Sequence, residues 1–247
     1  AEGQQFCGWV RVGHRPAKNT LSVTVSESLL PVLPEVLARI KNLFDLYCEP
    51  KAVYETLQVM NTLQPGLCVL GTRLPGCFNV FEMSVRAVLG QQVTVKAAST
   101  LAARLVSVYG TQVQTGIEGL THSFPAPAAI LALGENISEH LGKLGIISAR
   151  ANTIYQLARV LADEKNDFGF CGNPEEEMQK LQAIRGIGSW TAQYIAMRAM
   201  GWPDAFLPTD AGIKKALPDH TPKELQVLSE AWRPWRSYAT VNLWNTL

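Results

Sequence analysis

A single aspartate near the C-terminus could serve both as a helix N-cap and as a charged carboxylate in a pocket. Asp210 lies in the segment Phe206 to Lys214, after Leu-Pro-Thr and at the start of a short predicted helix. Aspartate is a favoured N-cap because its carboxylate accepts hydrogen bonds from the first free amides of a helix, although Thr209 is an alternative cap. A helix N-terminus also favours the ionised carboxylate, so Asp210 would stay charged in a partly apolar pocket. The two roles are compatible.

A glycine-containing turn precedes this aspartate by about 20 residues. Gly186, Ile187 and Gly188 separate two predicted helices, and Ser-Trp-Thr-Ala follows directly. Glycine permits positive φ and close backbone approach, and the free amides at the start of the second helix can bind an anion without side-chain charge. Ile187 is expected to fill the gap between the helices. Since many helical hairpins contain glycine, this turn favours DNA binding only together with the segments around it.

Aromatic residues are concentrated in the same region. Trp190 and Tyr194 are four residues apart and are therefore predicted on one helix face. Four of the six tryptophans fall within the last 46 residues, and we expect two of them, Trp232 and Trp235, in the core. Aromatic faces attract cationic rings by about 0.5–2 kcal/mol per contact. Trp190, Tyr194 and Trp244 could therefore line a pocket for a cationic ring.

The elements that position these residues are mostly helical. Alternating residues predict strands at 7–12 and 21–25, followed by an amphipathic helix at 30–47. Further helices are predicted at 78–89, 95–109, 148–162 and about 174–184. Thr94 and Asn173 are expected N-caps, and the glutamate three residues after Asn173 can close a capping box. The sequence predicts an α+β fold, mostly helical, with a small N-terminal β-sheet unit.

Composition excludes several classes of protein. The 247 residues carry a net charge of +1, and only 17% are charged against a typical ~25%, so the chain is neither disordered nor polybasic. Five scattered cysteines without a C-x-x-C pair argue against disulfides, zinc or iron–sulfur clusters and predict reduced, mostly buried thiols. No apolar stretch reaches ~18 residues, and residues 1–16 show no signal-peptide pattern. The acidic stretch 163–177 is interpreted as a solvated connection.

Three further segments strengthen a family resemblance. Gly71–Arg86, Val88–Val93 and Trp232–Tyr238, together with the glycine turn and Asp210, resemble the helix–hairpin–helix DNA glycosylase superfamily. The combination is similar to the bacterial 3-methyladenine DNA glycosylase II branch over roughly residues 20–247. None of the segments is specific alone. Because that family has a longer N-terminal sheet domain, the N-terminal domain is expected to be truncated here.

The resemblance implies three structural units. These are a truncated α+β sheet domain at 1–49, a helical domain with the hairpin at 78–202, and a second helical domain formed by 50–77 and 203–247. The two helical subdomains would enclose a cleft. The hairpin would lie on one wall and Asp210 near the cleft, with the C-terminal aromatic residues on the other side.

The resemblance also implies the chemistry. Asp210 would be the catalytic aspartate, stabilising the positive charge that develops on the sugar when an N-glycosidic bond is cleaved. Alkylated purines of the 3-methyladenine and 7-methylguanine type already carry positive charge, so they leave without protonation. The neighbouring acids Glu82, Asp204 and Glu230 are expected at the surface. Trp190 stands where lyase members have a Schiff-base lysine, which predicts a monofunctional glycosylase without lyase activity.

Substrate binding would require base flipping out of the duplex. The resemblance assigns Trp190, Tyr194 and Trp244 to the base pocket, and an aromatic pocket predicts broad substrate tolerance. Gln92 occupies the position of a wedge residue that is often apolar, and the alternative is that Gln91 and Gln92 merely cap the turn. Ala211 and Asn245 depart from the family pattern and suggest a roomier pocket.

The expected partner is double-stranded DNA containing alkylated bases, bound by a monomer in the bacterial cytoplasm at the nucleoid. The predicted DNA-binding residues are Gln91, Gln92, Arg185, Gly186, Ile187, Gly188, Ser189 and Trp190. The family further implies a Na or K ion held by the backbone carbonyls of Gln182, Ile184 and Ile187, and otherwise no cofactor.

Electrostatics and function leave further expectations open. Because backbone amides rather than lysines would hold the phosphates, DNA binding is expected to depend only weakly on salt concentration, equivalent to roughly two to four neutralised phosphates. The residues expected to supply the few charges are Arg86, Lys96, Arg185, Lys214 and Arg236.

Two alternative functions remain. One is a glycosylase of this fold for another damaged base, and the other is a non-catalytic helix–hairpin–helix DNA-binding module, which would not need Asp210.

Overall fold

A computed structural model describes residues 6–162 and 173–247. The N-terminal unit begins with a β-hairpin. Strand β1 (Val10–Arg15) pairs antiparallel with β2 (Thr20–Val25), so that Val10 faces Val25 and Arg15 faces Thr20. Asn19 closes the turn with a left-handed φ of 48°. The first strand begins three residues later than predicted. Trp9 still contacts the end of β2, since its carbonyl accepts from the Ser26 amide and its amide donates to the Ser26 hydroxyl, both at 3.0 Å.

The helix after the hairpin is shorter than the predicted 30–47. Helix α1 spans Leu33–Leu43, since the preceding residues Glu27–Val32 form a 3₁₀ helix that contains Pro31. Val36 and Ile40 are buried against Leu29 and the strands, which gives this unit its own small core. The helix ends just before Asp45, whose φ of 51° turns the chain.

Asp45 joins the N-terminal unit to the C-terminal helices. Its Oδ2 accepts hydrogen bonds from the Leu74 amide and from the Tyr238 hydroxyl, both at 2.9 Å. Burial is the main factor that raises the pKa of Tyr238, so the phenol remains a donor at neutral pH. The contact therefore bridges 193 residues of sequence.

In the remainder of the described chain the regular secondary structure is helical apart from one short strand pair, β3 (Thr111–Gln112) with β4 (His122–Ser123). The helices are α2 (Pro50–Leu57), α3 (Val80–Leu89), α4 (Val95–Tyr109), α5 (Pro127–Leu131), α6 (Ile137–Gly142), α7 (Ser148–Leu161), α8 (Pro174–Gln182), α9 (Ser189–Arg198), α10 (Ala211–Ala216), α11 (Pro222–Leu228) and α12 (Arg236–Trp244). A mostly helical fold with a small N-terminal sheet confirms the predicted fold class.

The helices enclose two hydrophobic cores, and α9 contributes to both, with Met197 in the second. The first is built from helices α3 to α9 and contains fully buried side chains such as Val88 and Leu157. The second combines residues 53–74 with residues 205–243 around Trp232. Tyr194 and Trp202 pack against both cores, so α9 and the residues after it form the junction.

The predicted caps are present. Thr94 accepts a hydrogen bond from the Ala97 amide, and Asn173 accepts one from the Glu175 amide at 3.1 Å. The expected capping box at Asn173 is wrong, because the Glu176 carboxylate meets the Asn173 side-chain amide at 3.5 Å and not its backbone amide. Helix α3 begins at Val80, two residues later than expected, because Asn79 caps it.

The cysteines differ from the prediction in their burial. Cys7, Cys48, Cys68 and Cys77 are free thiols, but only Cys68 among these four is buried and Cys7 is exposed. Cys171 and the first part of the acidic stretch, residues 163–172, lie outside the described residues. No helix within the described part of the chain is long and apolar enough to span a membrane.

Candidate active site and DNA interface

The hairpin turn between α8 and α9 rests directly on α7. Gly186 has a left-handed φ of +95°, and a Cβ there would lie 2.1 Å from the Thr153 hydroxyl oxygen. That hydroxyl lies 3.0 Å from the Arg185 carbonyl oxygen, to which it donates a hydrogen bond. Ile187 is 4% exposed and belongs to the first helical core, which confirms that it fills the gap between the helices.

The start of α9 presents open backbone amides. Gly188 is the N-cap with an extended backbone, and no side chain in the described part of the chain caps this helix end. A Cβ placed on Gly188 would meet nothing within 4 Å. The amides of Ser189 and Trp190 are therefore accessible to an anion, as the sequence predicts. That they bind a DNA phosphate stays a prediction.

The two glutamines after α3 play different parts. The Gln91 side-chain nitrogen donates to the Gly186 carbonyl and to the Thr191 hydroxyl, both at 2.9 Å, and Arg150 donates to the Gln91 carbonyl. Gln91 thus holds the hairpin in place, and its contact with DNA stays a prediction. Gln92 is exposed and has a left-handed φ of 51°, so its side chain is available at the tip of the turn.

Asp210 is the N-cap of α10, as predicted, and accepts four hydrogen bonds. Its Oδ1 accepts from the amides of Gly212 at 2.8 Å and Ile213 at 3.1 Å, and from the Trp244 indole at 2.8 Å. Its Oδ2 accepts from the Trp190 indole at 3.0 Å. Asp210 is only 9% exposed, so its buried negative charge is balanced by oriented N–H dipoles.

The three predicted pocket aromatics form one cluster, in which Trp190 and Trp244 contact this carboxylate and Tyr194 packs against both tryptophans. The rings of Trp190 and Tyr194 are stacked, with centroids 5.2 Å apart and an interplanar angle of 9°. Trp244 is tilted by 48° against Tyr194 at 6.3 Å. Because both indole N–H groups are bound to Asp210, a ligand can meet these two tryptophans only through ring faces and edges. A base does not fit between the stacked pair at that spacing.

An arginine at the edge of the cluster was not expected from the sequence. The Arg198 guanidinium lies 5.7 Å from the centroid of the Tyr194 ring and donates to the Tyr194 hydroxyl at 3.3 Å. It also donates to the Pro75 carbonyl at 2.6 Å. Its spacing of four residues from Tyr194 was the available signal.

Two predictions about charged residues are wrong. Arg236 is only 6% exposed and forms two hydrogen bonds with Asp204, at 2.7 and 2.9 Å, so it is not available to a phosphate. Asp204 is 7% exposed, not a surface residue, and also accepts from Arg233. A buried carboxylate requires such partners. Glu230 is exposed and Glu82 is half-buried.

The other predicted charges lie at the surface. Lys96, Arg185 and Lys214 are exposed, whereas Arg86 pairs with Glu82 at 2.8 Å. Of the remaining pocket predictions, Ala211 and Asn245 are exposed. Trp232 is buried as expected, and Trp235 is half-buried at the margin of the same core.

The predicted cation site consists of backbone carbonyls at the end of α8 and in the hairpin. The Ile184 carbonyl already accepts a hydrogen bond from the Ile187 amide at 3.0 Å. Within 6–162 and 173–247, no group of three or more His, Cys, Asp or Glu side chains could hold a metal ion. The oxygens of Gln182, Ile184 and Ile187 are of the type that binds hard cations.

Comparison with known proteins agrees with this geometry. Residues 85–236 match the model of the HhH-GPD superfamily of base excision DNA repair proteins, and residues 2–79 match the AlkA N-terminal domain. The chain is 38% identical to DNA-3-methyladenine glycosylase 2 of Escherichia coli, over 93% of this chain and 78% of that protein. It is 40% identical to a probable bifunctional transcriptional activator/DNA repair enzyme AlkA of Mycobacterium tuberculosis, covering 85% of this chain but only 42% of that one.

Solved structures share the fold. A 3-methyladenine DNA glycosylase from Archaeoglobus fulgidus superimposes with a TM-score of 0.74 at 22% identity, over 95% of this chain and 81% of that one. The Schizosaccharomyces pombe 3-methyladenine DNA glycosylase, solved with abasic DNA, gives 0.59 at 20% identity, over 77% and 90%.

The chain therefore belongs to the HhH-GPD superfamily of base excision DNA repair proteins, and it is a DNA glycosylase. Within that superfamily it is an enzyme of the DNA-3-methyladenine glycosylase II type.

Proposed function

We propose that this glycosylase hydrolyses the N-glycosidic bond of alkylated purines in double-stranded DNA, of the 3-methyladenine and 7-methylguanine type. The observation that carries the proposal is the buried carboxylate of Asp210, held by four N–H donors beside three aromatic rings. A non-catalytic DNA-binding module has no need of such a group. Relatives whose names include 3-methyladenine support the choice of substrate.

The chemistry follows from the charges involved. Departure of an alkylated purine leaves an oxocarbenium-like sugar, and an adjacent carboxylate stabilises that positive charge. The cationic base leaves with the electron pair of the broken C–N bond and thereby becomes neutral. Water then adds to the sugar carbon, and the proton that it loses passes to solvent. Asp210 is suited to this role because its position is already set before substrate binds.

The excision is proposed to be purely hydrolytic. Trp190 stands at the position where a lyase would need a lysine amine, and its side-chain N–H is bound to the Asp210 carboxylate. An indole cannot form a Schiff base with the sugar. Treatment with borohydride should therefore trap no covalent enzyme–DNA adduct, and a trapped adduct would contradict a monofunctional mechanism.

DNA binding is proposed to use the hairpin and the glutamine turn. The open amides of Ser189 and Trp190 would hold a phosphate, while Gln92 would occupy the space left by the flipped base. A monovalent cation on the carbonyls of Gln182, Ile184 and Ile187 would supply positive charge for that phosphate when bound. We further propose that the protein acts as a monomer at the bacterial nucleoid. Light scattering of the free protein and of its DNA complex would test the monomeric state.

One observation favours a second substrate class. The positive charge of Arg198 lies beside the Tyr194 ring and would repel a cationic base there. A neutral damaged base would escape that repulsion. Defined duplexes carrying one alkylated or one neutral lesion separate the two candidates, because each predicts faster release of a different base.

The deciding experiment is mass spectrometry of bases released from DNA treated with a methylating agent. The wild-type protein should release 3-methyladenine and 7-methylguanine, and Asp210→Asn should still bind abasic DNA but release no base. Circular dichroism of the variant provides the control for folding. Release by Asp210→Asn at the wild-type rate would exclude the proposed role of the carboxylate.

A further inference from the structure

Gly212 lies against the indole of Trp244 in the first turn of α10. A Cβ built on Gly212 would lie 2.7 Å from Cδ1 and 2.9 Å from Nε1 of Trp244, and 3.0 Å from Oδ1 of Asp210. Separations below 3.0 Å are essentially never seen for real Cβ atoms. Any side chain at this position would therefore displace the indole ring.

Backbone conformation does not explain the glycine. Gly212 lies inside α10 and its φ is not positive, so an L-amino acid could adopt the same backbone conformation. Glycine is also a poor helix former because it loses the most conformational freedom on folding. The close approach of Trp244 is the feature of this site that requires a residue without a side chain.

We propose that Gly212 is a positioning residue for base excision. Because it lacks a side chain, the Trp244 indole N–H comes within 2.8 Å of Asp210 Oδ1 and holds the carboxylate toward the aromatic cluster. This inference rests on the proposed function for its kinetic consequence, whereas the contact itself does not depend on the substrate.

The effect of Gly212 on the fold and on the carboxylate can be separated. The backbone amides of Gly212 and Ile213 cap α10 through Asp210 Oδ1 and do not depend on Trp244. A Cβ at position 212 would lie 3.0 Å from Oδ1, which needs to move by only a few tenths of an ångström to relieve that contact. The methyl group should therefore leave the cap in place while it removes the donor supplied by α12. The carboxylate would lose one of its four hydrogen bonds and with it part of its fixed orientation.

Nuclear magnetic resonance of the indole N–H groups tests the contact directly. In Gly212→Ala the Nε1–H resonance of Trp244 should shift strongly, and that of Trp190, bound to the other carboxylate oxygen, should move much less. Gly142→Ala is the matched control, because a Cβ there meets nothing within 4 Å. An unchanged Trp244 resonance in Gly212→Ala would overturn the inference.

Single-turnover kinetics on methylated DNA test the consequence. Gly212→Ala and Trp244→Phe should each slow base release about tenfold, the scale of one hydrogen bond to a charged group, with DNA affinity changed less than about twofold. Because both act through the same contact, the double variant should be no slower than the slower single variant. Multiplicative losses would refute the inference. If the wild type released no base, the proposed function would fail, while the resonance of Trp244 would still decide the role of Gly212.

Loss of folding would also be informative. A phenylalanine ring lacks the Cδ1–Nε1 edge of the indole, against which the new methyl group would press. If Gly212→Ala is too unstable to assay, the double variant with Trp244→Phe should recover most of the lost Tm. Failure to recover would show that the alanine acts elsewhere and would overturn the inference.

Discussion

The free energy of the hydrogen bond between Trp190 and Asp210 can be measured by replacing the carboxylate with its amide. In Asp210→Asn the side-chain oxygen can take the place of Oδ1 and keep its three donors, since asparagine caps helices as well as aspartate does. The amide nitrogen would then occupy the place of Oδ2, 3.0 Å from the Trp190 indole nitrogen. Two donors would face each other in a site that is largely closed to water.

The magnitude follows from one lost hydrogen bond to a charged group, about 1.5–3 kcal/mol. For a chain of this size each kcal/mol shifts Tm by roughly 2–4 °C, so Tm should fall by roughly 3–12 °C. Trp190→Phe should cost a similar amount in the wild-type protein. In the Asp210→Asn background it should cost much less, because it removes the opposed donor.

Thermal and urea unfolding of the four proteins provides the assay. The ring-size change of Trp190→Phe is common to both backgrounds and cancels in the cycle, which leaves a coupling of at least about 1 kcal/mol. Trp235→Phe is the matched control, since Trp235 is also half-buried but forms no hydrogen bond with Asp210. A coupling below about 0.5 kcal/mol would refute the claim that the Trp190 bond helps to orient the carboxylate.

Further predictions concern the hairpin, the buried ion pair and the salt dependence. Gly186→Ala forces a Cβ against Thr153 at a left-handed φ and should cost about 1–3 kcal/mol, whereas Gly188→Ala, with open space around it, should leave Tm unchanged in a thermal melt. Arg236→Gln leaves the buried Asp204 short of a partner and should destabilise the protein by about 3–5 kcal/mol in urea unfolding, with no change in the salt dependence of DNA binding. Fluorescence anisotropy between about 50 and 200 mM salt should give a slope equivalent to roughly two to four phosphates, and a slope near that of about ten phosphates would contradict binding through amides.

The sequence by itself determined the features that depend on near neighbours. Asp210, Asn173 and Thr94 are caps because a cap and its amides are at most three residues apart. Trp190 and Tyr194 stack because residues four apart share a helix face, and the mainly helical fold follows from the same periodicity. The family also was recognisable, since its motifs are contiguous segments.

Tertiary structure alone decided which distant groups meet. Asp210 binds the indoles of Trp190 and Trp244, which lie 20 and 34 residues away, and Gln91 reaches the hairpin across 95 residues. Asp204 illustrates what sequence alone cannot predict, because a charged residue is expected at the surface unless a partner such as Arg236 is known to be close. Periodicity assigns a side chain to a face, but the packing of two helical cores sets which faces adjoin, and so brings the indole donors to the Asp210 carboxylate.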